Sequence, residues 1–429
     1  MNKGMQQSWR IRGGRVVDPH RGCSEDADLD IVDGRIAVPG SASSGDPLID
    51  ARGMTVVPGL MDLHVHFREP GDDAAETIAS GSQAAARGGF TTVVTMPNTT
   101  PATDSAEMIR YVLEQAHCAG HVRVLPSGCI TRNRQGGALA DLSAMRAAGA
   151  AAFTDDGATV ADDRLMQDAM IVARDLGVMV MDHALDPALS GSGVMHEGDF
   201  SRKYGLPGVS VTAETRMVAR DIACAAQTGA AVHIQHLSCA ESVALVRRAQ
   251  QRGVKVTAEV TPHHLALCDA DIDPANADYK MSPPLRTAAD REAVVAAVAE
   301  GVIAAFATDH APHTATAKAR GFARAPFGIV GLETAVGVTY TVMVKSGRMS
   351  LLEWLRRWTT GPAGMLGMNP PSLAVGAPAD IAVLDLCNEW TVCAADFASR
   401  SRNTPFEGWR LTGRAIHTFM DGCATWQSV

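Results

Sequence analysis

The sequence has 429 residues, 46% of them hydrophobic, and a formal net charge of −9 at pH 7. That length and apolar fraction provide for one large buried core with a smaller companion domain, rather than several small domains. The acidic balance argues against nucleic acid or an anionic membrane as the main partner, and it obliges any anionic substrate to find local cations inside its pocket.

In chain order, Trp9 to Asp50 holds short β-like runs, Ile11–Val17 and Leu29–Val38, broken by Asp, Gly and Pro. Eight short apolar runs with polar ends follow: Gly59–His66, Phe90–Asn98, His121–Ser127, Ala150–Asp156, Val178–His183, Ala230–His236, Val254–Thr261 and Ile303–Asp309. Continuous apolar runs of this kind suit parallel strands covered on both faces. The stretches between them read as helices, clearest over Ala213–Gln227, Glu241–Gln251 and Ala288–Glu300, with Gly229 and Gly301 where a left-handed C-terminal cap is wanted. Eight strand–helix units in series predict an α/β chain forming a closed (β/α)8, or TIM, barrel. The alternative, a doubly wound open sheet, lacks the Gly-rich phosphate loop after its first strand. Beyond the barrel, Ala379–Leu386, Ala415–Met420 and Cys423–Trp426 are again β-like. The two ends are expected to meet in one small β domain.

Met1 to Gly14 is polar and has no apolar core, so no secretory signal is expected. No apolar run is long enough for a membrane span. Nine cysteines are scattered without C-x-x-C spacing, which reads as reduced thiols in a cytoplasmic protein. The glycosylation pattern at Asn98-Thr99-Thr100 is then a false positive.

In a parallel barrel the C-terminal ends of the strands form the active-site face. Four runs end there in residues suited to a borderline metal: His64 and His66, Asp156, His183 and His236; the eighth ends in Asp309. His64 and His66 are two apart on a strand, so both point to one side and can share an ion. Asp155 and Asp156 are adjacent, so only one faces the centre, and the sequence does not choose between them. A metal held by imidazole and carboxylate lowers the pKa of bound water to about 7, and a neighbouring carboxylate, for which Asp309 is placed, can move protons. Arg68 and Asn98 follow the first two strands; an arginine fork suits a carboxylate. His313, four residues after Asp309, reaches the same pocket or is a loop histidine. His263 and His264 read as structural. The polar stretch 314–324 reads either as a lid or as an exposed loop.

Taken together, Asp62-Leu63-His64-Val65-His66-Phe67-Arg68-Glu69-Pro70-Gly71, Met96-Pro97-Asn98, Phe153–Gly157, Ala307–His313, Ala325–Gly328 and Asn403–Trp409 resemble the dihydroorotase family of the amidohydrolase superfamily. The resemblance spans almost the whole chain. It implies a TIM barrel (58–368) flanked by a small β-sandwich built from both termini (1–57 and 369–429). It implies reversible cyclisation of N-carbamoyl-L-aspartate to L-dihydroorotate in pyrimidine biosynthesis. By resemblance, His64 and His66 bind one Zn2+ and His183 and His236 a second, with Asp156 bridging and Asp309 both ligand and proton shuttle. The count is one or two ions per chain. Arg68, Asn98, Ser282 and His313 then hold substrate, with Pro326, Phe327 and Gly328 near its ring. Candidate further partners are a second copy of the chain and an aspartate transcarbamoylase. Many relatives bridge their metals with a carboxylated lysine; none lies in or just after the fourth run here, which weakens a hydantoinase or allantoinase reading. Two departures stand out. Ser282 replaces an asparagine in Lys280-Met281-Ser282-Pro283-Pro284-Leu285-Arg286, and Ala184-Leu185 stands where Cys-Glu is common. The rival of another class is a catalytically dead scaffold for a transcarbamoylase.

Overall fold

The computed structural model describes residues 7–428. The N-terminal segment forms β1 (Trp9–Asp18), β2 (Cys23–Val32), β3 (Arg35–Ala37), β4 (Leu48–Asp50) and β5 (Thr55–Pro58). The barrel strands begin directly after it: β6 (Leu60–Val65), β7 (Phe90–Thr95), β8 (Arg123–Gly128), β9 (Ala152–Phe153) and β10 (Val180–Asp182). After a two-stranded excursion, β11 (Met195–His196) with β12 (Gly208–Val209), come β13 (Val232–Ile234), β14 (Val256–Val260) and β15 (Ala305–Phe306). The C-terminal segment adds β16 (Ile381–Thr391), β17 (Arg410–Met420) and β18 (Cys423–Gln427).

Each of the eight apolar runs supplies one strand of a parallel sheet ordered β6-β7-β8-β9-β10-β13-β14-β15. The ring closes through a parallel bridge between Val65 and His310. Asp62 reinforces that seam from β6: its carboxylate accepts from Thr308 N (3.1 Å) and Thr308 Oγ1 (2.6 Å), tying first strand to last. Leu63, Val94, Ala152, Met181 and Ala305, drawn from five different strands, pack with Met96 as one small apolar cluster inside the ring. The predicted helices occur as Val211–Thr228, Ala240–Gln251 and Ala288–Glu300, with Gly229 and Gly301 as left-handed caps.

The chain ends do meet. β5 pairs antiparallel with β16 (Val56 opposite Val383) and parallel with β1, giving one continuous sheet ordered β18-β17-β16-β5-β1-β2-β3, with β4 on β1. It has its own core, including Ile11, Ile31, Ile49, Val56, Ile381 and Phe419. The sheet docks on the barrel at Gly89 (φ +89°), where an added Cβ would sit 3.1 Å from the Ala415 methyl. A glycine there lets the chain turn and lets the sheet approach closely.

Candidate active site

At the C-terminal ends of the strands the histidines and aspartates converge. His64 Nε2 lies 3.3 Å from Asp156 Oδ1 and 3.4 Å from Asp309 Oδ1. His66 Nε2 lies 2.9 Å from Asp309 Oδ1 and 3.5 Å from Asp156 Oδ2. His183 Nδ1 is 2.9 Å from His236 Nε2 and 3.8 Å from Asp156 Oδ1. A bulge in β6 helps to assemble this centre: between Asp62 and Val65 three residue steps oppose two on β7, from Val93 to Thr95. Bulges re-aim side chains beside active sites; here Leu63 packs in the interior cluster while His64 and His66 still reach the centre. Arg68 (φ +26°), His236 (φ +33°) and Asp309 (φ +48°) all adopt left-handed backbone. For residues with a Cβ this conformation costs free energy and persists where surrounding contacts hold it, as at ligand sites.

The structure separates the two neighbouring aspartates. Asp156 faces the histidines. Asp155 turns away and accepts from both the backbone N–H (3.0 Å) and the hydroxyl of Thr131, closing the loop after β8. Burial alone would raise the Asp156 carboxyl, but His64, His66 and His183 hold it well below the ordinary carboxylate range. Burial pushes His183 and His236 down, so both favour the neutral form that metals bind.

The donor set fits a divalent ion. His64 Nε2, Asp156 Oδ1 and His236 Nδ1 are buried without a hydrogen-bond partner, at a cost that coordination would offset. Two groups bring one ligand atom from each residue within 4.8 Å of one another: His64, Asp156 and His236; and His64, His66 and Asp309. Imidazole and carboxylate together suit zinc and its borderline neighbours.

A cavity of about 460 Å³ opens onto these groups. Arg68, Asn98, Ser282, His313, Pro326, Phe327 and Gly328 all line it. Arg68 donates through Nε to Pro312 O (3.2 Å), and its Nη2 lies 3.5 Å from His313 Nε2. Asn98 has a second connection: Oδ1 accepts from His66 Nδ1 (2.9 Å) while Nδ2 donates to Asp156 Oδ2 (3.4 Å), so it also steadies two candidate ligands. Burial and the Arg68 charge push the His313 imidazole down to about 3, leaving it neutral in the pocket. Ser282 Oγ is 3.4 Å from His183 Nε2, and Leu185 lines the cavity wall. His263 and His264 are buried, and His264 bridges Thr261 Oγ1 (2.7 Å) to Pro283 O (3.0 Å), which agrees with a structural role.

The polar stretch 314–324 is neither plain nor wholly exposed. Thr314 caps a short helix, Ala315–Lys318, and Lys318 is buried. Its Nζ donates to Pro326 O (3.2 Å) and Gly328 O (2.9 Å). From the other side Lys280, also buried, donates to Ala323 O (3.1 Å) and Ala325 O (2.7 Å), with its Nζ 4.5 Å from the centre of the Phe327 ring. Two ammonium groups thus pin the wall that carries Pro326–Gly328. Lys318→Met keeps the stem but removes both donors. It is expected to raise amide hydrogen exchange across 321–328 and to raise KM more than it lowers kcat. Unchanged exchange there would show the wall to be held by other contacts.

Two site groups escape a motif reading. Arg134 donates through Nη2 to Asp156 O (2.5 Å), steadying the backbone of the central carboxylate. Glu259 lies fully buried under His64, with Oε1 2.7 Å from His64 Nδ1. Its trace in the sequence is an acid in the middle of an otherwise apolar strand.

Comparison with known proteins places the chain in a family. A family model described as Dihydro-orotase-like matches residues 53–242. A dihydroorotase of Geobacillus thermodenitrificans is 47% identical over 385 residues, 90% of each chain. One of Solibacter usitatus is 44% identical over 418 residues, 97% of each chain. Among solved structures, a dihydropyrimidinase of Brevibacillus agri superposes with a TM-score of 0.85 at 24% identity, covering 98% of this chain and 95% of that one, a likeness of fold. A D-hydantoinase of Thermus sp. reaches 0.84 at 25% identity with the same coverage. Both dihydroorotases align with this chain over 90% or more of their length, and the chain belongs to the dihydroorotase family, enzymes that act on cyclic amides.

Proposed function

We propose that the chain interconverts N-carbamoyl-L-aspartate and L-dihydroorotate, with His64, His66, Asp156, His183, His236 and Asp309 as the ligands of one or two zinc ions. The observation that supports this most is that His66, Asp156, His183, His236 and Asp309 line one cavity together with Arg68, while the buried His64 lies against it with Nε2 3.3 Å from Asp156 and 3.4 Å from Asp309. A bound divalent ion supplies Lewis acidity, polarising the scissile carbonyl and making water a competent nucleophile near neutral pH.

The residues of the chain do the rest. Arg68, with Asn98 and His313, orients the substrate carboxylate and holds the ring against Pro326–Gly328. In hydrolysis water adds to the ring amide carbon next to the methylene, and the C–N bond breaks. Asp309 takes the proton from the attacking water and delivers it to the leaving nitrogen. In cyclisation the same carboxyl returns a proton to the departing oxygen.

The same reading extends to pyrimidine biosynthesis as the setting and to the cytoplasm as the compartment; cysteines scattered along the sequence without C-x-x-C spacing favour the latter. Among the described residues no helix is long and apolar enough to cross a membrane. We place the domain limits at 57/58 and 368/369; β5 ends at Pro58 and the first barrel strand starts at Leu60. A second chain and an aspartate transcarbamoylase stay as candidate partners.

The direct test is metal analysis of the purified chain together with dihydroorotate hydrolysis, run beside hydantoin and dihydrouracil. Dihydroorotate should be much the best substrate of the metal-loaded protein. No turnover of it at full loading would favour the scaffold reading. Ser282→Asn restores the amide usual in relatives and is expected to lower KM by about 2–10-fold, the worth of one added hydrogen bond. An unchanged KM would mean that position 282 does not touch substrate.

A further inference from the structure

The interior of a TIM barrel is normally filled by bulky apolar side chains. Directly beneath the histidines this one instead carries a carboxylate, Glu259, with no exposed surface. A buried charge is costly unless each of its oxygens is engaged, and here both are. Oε1 lies 2.7 Å from His64 Nδ1 and also accepts, at 3.4 Å, from the backbone N–H of His236. Oε2 lies 3.1 Å from Nε2 of His233, a histidine that does not reach the metal ligands, and His233 Nδ1 is 2.8 Å from Thr257 Oγ1. The register explains the arrangement. His233 on β13 is the direct partner of Thr257 on β14, and Glu259 stands two residues beyond Thr257 on the same face.

We propose that Glu259, keyed in place by His233 and Thr257, is a positioning residue for the metal site. By accepting the Nδ1 proton of His64 it fixes the tautomer in which the Nε2 lone pair faces Asp156 and Asp309. By accepting from His236 N it helps to hold that residue in its left-handed backbone conformation. One carboxylate thereby orients a ligand from each of two strands, β6 and β13. Outer partners of this kind raise ligand basicity and typically contribute 10–100-fold to metal affinity. The inference rests on the ligand assignment proposed above.

The test is Zn2+ affinity, measured on metal-free protein by competition with a chromophoric chelator, with the visible spectrum of the Co2+-loaded protein as a second readout. Glu259→Ala is expected to weaken Zn2+ binding about 10–100-fold and to change the Co2+ bands. Glu259→Gln should stay within a few-fold of the parent. Its amide oxygen can still accept from His64 and His236, while its NH2 donates to His233 once that ring passes its proton to Nδ1 and Thr257. In a His64→Ala background, Glu259→Ala should weaken binding much less than it does alone. If Glu259→Ala binds Zn2+ like the parent while His64→Ala does not, the inference falls and the ligand assignment stands. If His64→Ala also binds like the parent, the assignment itself falls. Should Glu259→Ala fail to fold, His233→Leu decides: it removes only the partner of Oε2 and is expected to weaken Zn2+ binding about tenfold, and parental affinity there would overturn the proposal.

Discussion

Asp309→Asn is expected to lower kcat by about 10²–10⁴-fold in both directions, the usual worth of a positioned general acid–base group. The substitution is nearly isosteric, and the amide oxygen can still lie where Oδ1 now sits, 2.9 Å from His66 Nε2 and 3.4 Å from His64 Nε2. What it loses is a group able to accept a proton from water and return it to nitrogen. KM should therefore move by only a few-fold, because Arg68, Asn98 and His313 still line the pocket. Metal content should remain close to the parent's. The split between kcat and metal content is informative. A fall in kcat at full loading assigns Asp309 to proton transfer, whereas parallel loss of metal and turnover assigns it to coordination alone. A kcat within about threefold of the parent would remove Asp309 from the proton path.

The parts of this site that sequence reasoning reached are those set by local spacing. His64 and His66 lie two residues apart, and His183, His236 and Asp309 each end an apolar run, so barrel geometry alone brings them to one face. Asp155 and Asp156 mark the limit of that argument. Alternation says one faces inward but not which, and the choice depends on Thr131, over twenty residues earlier in the chain, which takes Asp155. The bulge in β6 is likewise invisible locally, since it is a mismatch in pairing between two strands. Glu259 shows as an odd acid in an apolar run, but its partner His64 lies 195 positions away. The stretch 314–324 is a different case. Its polarity suggests exposure, yet Lys318 is buried because backbone carbonyls of 326 and 328 satisfy its ammonium. Carbonyl acceptors belong to every residue and leave no mark in a sequence. At the termini, strand-forming runs were readable one by one. The pairing of Val56 with Val383, which makes them one sheet, follows from where the barrel begins and ends.

Asp156 is where the largest effect on metal binding is expected. Its Oδ1 lies 3.3 Å from His64 Nε2, 3.8 Å from His183 Nδ1 and 4.0 Å from His236 Nε2, and its Oδ2 lies 3.5 Å from His66 Nε2. One carboxylate thus stands between the two histidine pairs, so its removal should weaken both sets of ligands rather than one. Loss of an outer partner alone typically costs 10–100-fold in affinity; Asp156→Ala should exceed about 100-fold and leave turnover undetectable. The same change should also destabilise the metal-free protein at neutral pH, because His64, His66 and His183 hold the buried Asp156 carboxyl well below its ordinary range and lose that partner. Thermal melts separate the two effects. For the parent, added Zn2+ should raise the Tm, as any ligand of the native state does. For Asp156→Ala the metal-free Tm should fall below the parent's, and the rise on adding Zn2+ should disappear. A variant that melts early without metal yet still gains from Zn2+ would make Asp156 a structural residue, and the ion would then have to be held by His64, His66 and Asp309 alone.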